Sequence, residues 1–142
     1  MVFFSCNKSD SDEQLGVSAP ENTIVYRNES YQSIQMKGYK NGTLIKTSSL
    51  KKRTELNPEI IDSLVLKENS SFSNSAIDSI VILYNVNSGC FYQTFGKTSD
   101  LANPRNPLAA GVKSEKANAD GSYTYTFTFP EDVFSSDVKV CN

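Results

Sequence analysis

The sequence predicts an all-β fold, a sandwich of short strands, on three observations. The first is Tyr123, Tyr125, Phe127 and Phe129 alternating with Ser122, Thr124, Thr126 and Thr128. A period of two over that length puts the aromatics on one face of a sheet and the hydroxyls on the other. The second is Asn41-Gly42 between two extended runs. That pair favours a type I′ hairpin turn, because both central positions need positive φ and these residues tolerate it cheaply. The third is the echo of Ile61-Asp62-Ser63-Leu64-Val65-Leu66 in Ile77-Asp78-Ser79-Ile80-Val81-Ile82. Short runs rich in β-branched residues suit a pleated, half-buried surface.

Each element follows in chain order. Residues 23–26 read as a short first strand. Residues 31–40 form a second, with Ile34, Met36 and Gly38 on one face, and the Asn41-Gly42 turn leads into a third at 43–47. Residues 60–68 are ambiguous. Asn57-Pro58-Glu59 has the form of a helix start, with Asn as cap and Pro in the first turn, and Ile60, Ile61, Leu64 and Val65 fit a helical face. The second copy of the repeat runs on to Leu83-Tyr84 as a strand, and the first copy is assigned with it. The Ser- and Asn-rich residues 69–75 between the copies are then a loop. Residues 90–95 make another strand. From Gly96 to Asn118 the chain holds Asn103-Pro104-Arg105-Asn106-Pro107 and little periodicity, so it reads as a long loop with room for one helical turn. Loops of that length are uncommon and often functional. Pro130 ends the aromatic strand by withholding an amide donor, and residues 136–140 add a last short strand.

Composition narrows the function. The chain has 142 residues, enough for one domain and a tail. Aromatics at 11% argue against a wholly disordered chain. Fourteen basic residues against sixteen acidic ones leave no basic stripe for nucleic acid. Lys51-Lys52-Arg53 is the one basic cluster and reads as a solvated turn. Histidine is absent, which removes the commonest general base and the commonest zinc ligand. No G-x-S-x-G motif accompanies the many serines. Asp62 and Asp78 could be a carboxylate pair, but both stand at strand starts, where turn or edge roles are usual. Asp10, Asp12 and Glu13 lack the glycine and terminal glutamate of a calcium loop. The expectation is a protein that is not an enzyme and needs no cofactor or metal.

At the start, Met1-Val2-Phe3-Phe4-Ser5-Cys6 is followed by the polar run Asn7-Lys8-Ser9-Asp10-Ser11-Asp12-Glu13-Gln14. An apolar stretch ending in a small residue and Cys resembles the lipobox of bacterial lipoproteins. The acidic residues after it resemble the surface-export signal of Bacteroidetes lipoproteins. The resemblance implies lipidation at Cys6 and a signal peptide cut just before it. Only four residues precede Ser5, short of a full apolar leader, so the resemblance implies further leader upstream. It also implies an outer-membrane or cell-surface location, with a periplasm-facing orientation left open. Residues 1–20 are then lipobox and disordered tether, and residues 21–142 the domain. With Cys6 acylated, Cys90 and Cys141 remain as an even pair suited to an oxidising compartment. They form a disulfide or stay as two buried thiols.

Asp120-Gly121-Ser122-Tyr123-Thr124-Tyr125-Thr126-Phe127 resembles a segment of bacterial immunoglobulin-like repeats, which implies an immunoglobulin-like antiparallel β-sandwich. No Trp is present, and Tyr125 stands where the antibody tyrosine corner has Cys. Asp62-Ser63-Leu64 and Asp78-Ser79-Ile80 resemble the Bacteroidetes O-glycosylation tripeptide, which implies sugar on Ser63 and Ser79. The functional expectation is a lipid-anchored, non-catalytic binding or scaffolding module, with the membrane as one partner and an envelope protein or glycan as another. The alternative is a soluble secreted inhibitor or small-ligand-binding protein using the Gly96 to Asn118 loop. A carbohydrate-binding accessory module would instead present the 123–129 aromatics on an exposed face.

Overall fold

The computed structural model describes residues 20–131 and 138–142. Cys6, the tether ahead of Pro20, Asp10, Asp12, Glu13, Ser136 and Asp137 lie outside the described residues. Among the described residues nine strands form two sheets: β1 (Thr23–Asn28), β2 (Ile34–Lys40), β3 (Thr43–Leu50), β4 (Asp62–Lys67), β5 (Ser79–Tyr84), β6 (Phe91–Gly96), β7 (Ser114–Ala117), β8 (Tyr123–Phe129) and β9 (Lys139–Val140). The first sheet runs β9-β6-β5-β2-β3 and the second β4-β1-β8-β7. The expected β-sandwich is what the chain forms. Its strand order differs from the ABED and CFG sheets of antibody constant domains, so the immunoglobulin likeness is one of layers rather than of connectivity. One pairing also departs from a wholly antiparallel sandwich: β1 lies parallel to β8, with Ile24 opposite Tyr125 and Tyr26 opposite Phe127.

The hairpins follow from local chemistry. Asn41 and Gly42 take φ of 50° and 81°, the type I′ turn expected of the pair. Beyond it the register shifts at Gly38/Tyr39, leaving Ile45 as the extra residue of a bulge. Gly38 is needed for close approach, because a Cβ there would lie 2.9 Å from Ile77 Cδ1 and 3.0 Å from Phe72 Cδ1. The ambiguous segment resolves as strand. Leu64 and Leu66 point inward opposite Tyr26 and Ile24, and the Asn57-Pro58 start is a single turn closed by Ile60 N–H on Asn57 O at 3.1 Å. Pairing with β1 outweighs the local helical pattern.

The core lies between the layers. Ile24, Tyr26, Phe127 and Phe129 meet Ile34, Met36, Ile80, Ile82, Tyr84 and Phe95. The alternating row of β8 is only half core: Phe127 and Phe129 are buried, Tyr125 is half-buried and Tyr123 is 39% exposed. Phe72, inside the polar loop at 69–75, is fully buried. Its ring meets Tyr26 edge-on at 5.6 Å, and its N–H donates to the Tyr26 hydroxyl at 3.0 Å. Burying such a ring stabilises the fold by about 1.5–3 kcal/mol, so this loop is a plug for one end of the sandwich. At the other end Cys90 and Cys141 form a disulfide, with the Cys141 N–H also bound to Cys90 O at 3.1 Å. No helix among the described residues is long and apolar enough to cross a membrane.

Candidate functional site

The segment from Gly96 to Asn118 is organised by one buried side chain. Asn106 Nδ2 donates to the carbonyls of Gly96, Ser99 and Asp100 at 3.1–3.3 Å, and its Oδ1 accepts from Leu108 N–H at 2.9 Å. The chain then passes through a 3₁₀ turn at Ala110–Val112 and enters β7, an exposed edge strand paired to β8. The helical turn was expected. The strand was not, because Ser114–Ala117 has no apolar alternation.

Folded this way, the segment roofs a cleft of about 490 Å³ at the plugged end of the sandwich. Ile24 and Leu108 form part of its apolar lining, Tyr125 presents its ring, and Lys97, Lys113, Glu68 and Glu115 bring charge. That volume falls within the range of small-molecule sites. Asn22 ties two edges of the site together. Its Nδ2 donates to Glu68 Oε1 at 3.1 Å, and its Oδ1 accepts from the Tyr123 N–H at 2.9 Å. Tyr123 leans on Tyr125 with ring centroids 6.1 Å apart, so the aromatic row of β8 climbs from the core through the cleft to the surface.

The electrostatics of the cleft are costly. Burial pushes the Lys113 ammonium down to about 8; Glu68 pulls the other way, and Lys97 adds to the depression. Lys97 is lowered by burial and by Lys40, against the pull of Asp78. The Tyr125 phenol is pushed up by burial and by Glu115, Glu68 and Tyr123. Each lysine has one protein acceptor among the described residues: Lys97 Nζ donates to Asn74 O at 2.8 Å and Lys113 Nζ to Ala109 O at 3.4 Å. An ammonium carries three donors, so both retain hydrogens for something else.

The other sequence candidates are dispersed. Asp62 and Asp78 sit at opposite ends of different sheets, where they accept from the N–H groups of Lys51 at 2.7 Å and Asn41 at 3.1 Å. Ser63 is exposed on the outward side of β4, and Ser79 is half-buried on the outward side of β5. The described residues hold no group of His, Cys, Asp and Glu able to bind a metal ion. Comparison with protein-family models, with curated proteins and with solved structures returns no match.

Proposed function

We propose that the chain is an exported cell-envelope lipoprotein, held to the membrane by lipid on Cys6, whose sandwich is a non-catalytic binding module. The observation that carries this reading is the Cys90–Cys141 bridge. Structural disulfides persist in oxidising compartments and are rare in reducing ones. The bridge uses two of the three cysteines and leaves Cys6 in its lipobox-like setting. Two or three acyl chains, at about 0.8 kcal/mol per buried methylene, hold a protein far more firmly than one. The cleft roofed by the 96–118 segment supports binding as the task of the domain.

Mass spectrometry of protein extracted from host membranes tests the anchor. The expected result is an N-terminal peptide beginning at Cys6 and carrying acyl mass; a free thiol at Cys6 in membrane-extracted protein overturns it. A second reading, favoured by the same cleft, is an unanchored secreted protein that binds a small ligand. It predicts the disulfide-bonded chain in the medium without acyl mass.

A further inference from the structure

We propose that the cleft between Lys97, Lys113, Glu68 and Tyr125 binds an acidic oligosaccharide, with a uronic-acid carboxylate between the two lysines and a sugar ring against the tyrosines. The proposal rests on the binding-module reading and names the ligand class of that module.

Four observations converge on it. First, a half-buried lysine beside another lysine is a poor way to fill a gap in a sandwich, since burial disfavours the charged form and an apolar side chain would pack better. Charged groups held at such cost in a cleft mark functional sites more often than chance placement does. An anion between Lys97 and Lys113 would offset the cost of burial and relieve their mutual repulsion. Second, Glu68 and Glu115 line the same cleft. Two carboxylates oppose a dense dianion such as phosphate, but they accept hydrogen bonds from hydroxyls. A ligand with one carboxylate per ring and several hydroxyls matches both sets of groups. Third, Tyr125 lines the cleft and Tyr123 stands beside it at the surface. A pyranose offers a flat face of C–H groups, and a tyrosine offers a broad apolar ring with a polar tip. Fourth, the two rings follow one another along a single strand, as a chain of more than one sugar requires.

The groups facing Lys113 come from every surrounding element: Lys97 after β6, Glu68 after β4, Glu115 on β7 and Tyr125 on β8. Lys113 is protonated below about 8, and a bound carboxylate favours its charged form. Affinity should therefore be greatest below that pH and fall as pH rises through it.

The test is calorimetric titration of the full chain with uronic-acid tetrasaccharides (galacturonate, mannuronate and a glucuronate-containing one), with their methyl esters as neutral controls. Saturable binding of at least one acid, with its ester at least tenfold weaker, is the expected result. Lys113→Met and Lys97→Gln should each weaken that binding at least tenfold, and Tyr125→Leu should weaken acid and ester alike. Cooperative thermal unfolding would show that each variant folds; if one does not, the other lysine variant carries the test. Equal binding of acid and ester, no binding of any acid, or inorganic phosphate alone binding as tightly overturns the proposal. Protein acylated at Cys6 that fails to bind the acids loses the ligand class and keeps the envelope reading. Binding without acylation does the reverse.

Discussion

Lys113 shows how a single residue reports on its surroundings. Its ammonium titrates near 8 in the folded chain and at the ordinary lysine value of 10.5 when exposed. Between those values the unfolded state holds more protons than the folded one, so stability rises with pH. The penalty of keeping a charged Lys113 in the cleft is fully present below about pH 8 and disappears as pH approaches 10.5. Urea unfolding of the wild type and of Lys113→Met across this window should show the wild type gaining on the variant. A constant difference between them would mean that Lys113 is not desolvated. None of this is visible in the sequence, where Lys113 lies in an aperiodic stretch between Val112 and Ser114. The same holds for Phe72, one apolar residue among serines. Its burial depends on Tyr26, which is distant in the chain, and the only local hint was a large ring in an otherwise polar loop.

Among elements, the legible ones were those whose signal is local. The type I′ turn is set by two residues, and the alternation of β8 is complete within itself. The paired copies around Leu64 and Ile80 share a phase, so that the same positions of each point inward. What could not be read was anything settled by a partner strand. β7 exists because β8 offers it an edge, not because Ser114–Ala117 favours extension. The long segment before it likewise has no periodicity and depends on Asn106. Replacing Asn106 by Ala removes four hydrogen bonds, leaving the buried Leu108 N–H without its acceptor and the carbonyls of Gly96, Ser99 and Asp100 without their side-chain donor. The expected loss is about 1–3 kcal/mol, with faster amide exchange over residues 97–112 and unchanged protection in β5. Uniform acceleration through both regions would show instead that the loop is one cooperative unit with the core.

At the scale of the molecule, the disulfide acts on the whole chain at once. It joins residues 51 apart, and in the chain-entropy model such a closure contributes about 4 kcal/mol. The Cys90→Ser, Cys141→Ser double variant should lose about that amount in denaturant unfolding, matching the reduced wild type. A loss well under 1 kcal/mol would show that the bridge constrains the unfolded chain little. The sandwich was legible in outline because many short strands and one core leave few other architectures, whereas strand order was not, because the residues say which face is apolar and not which strand lies alongside.

The parallel pairing of β1 with β8 also sets an order in time. Asn22 and Tyr123, hydrogen-bonded in the finished protein, are 101 residues apart. At a synthesis rate of roughly 5–20 residues per second, β1 is complete seconds before β8 exists. β4 arrives earlier and can occupy one edge of β1; the other edge, with Ile24 and Tyr26 beside it, has no partner of its own until β8 is made. Unpaired edges recruit foreign strands, and contacts this distant close slowly. A chain that folds as it is made therefore keeps its central seam open until β8 arrives.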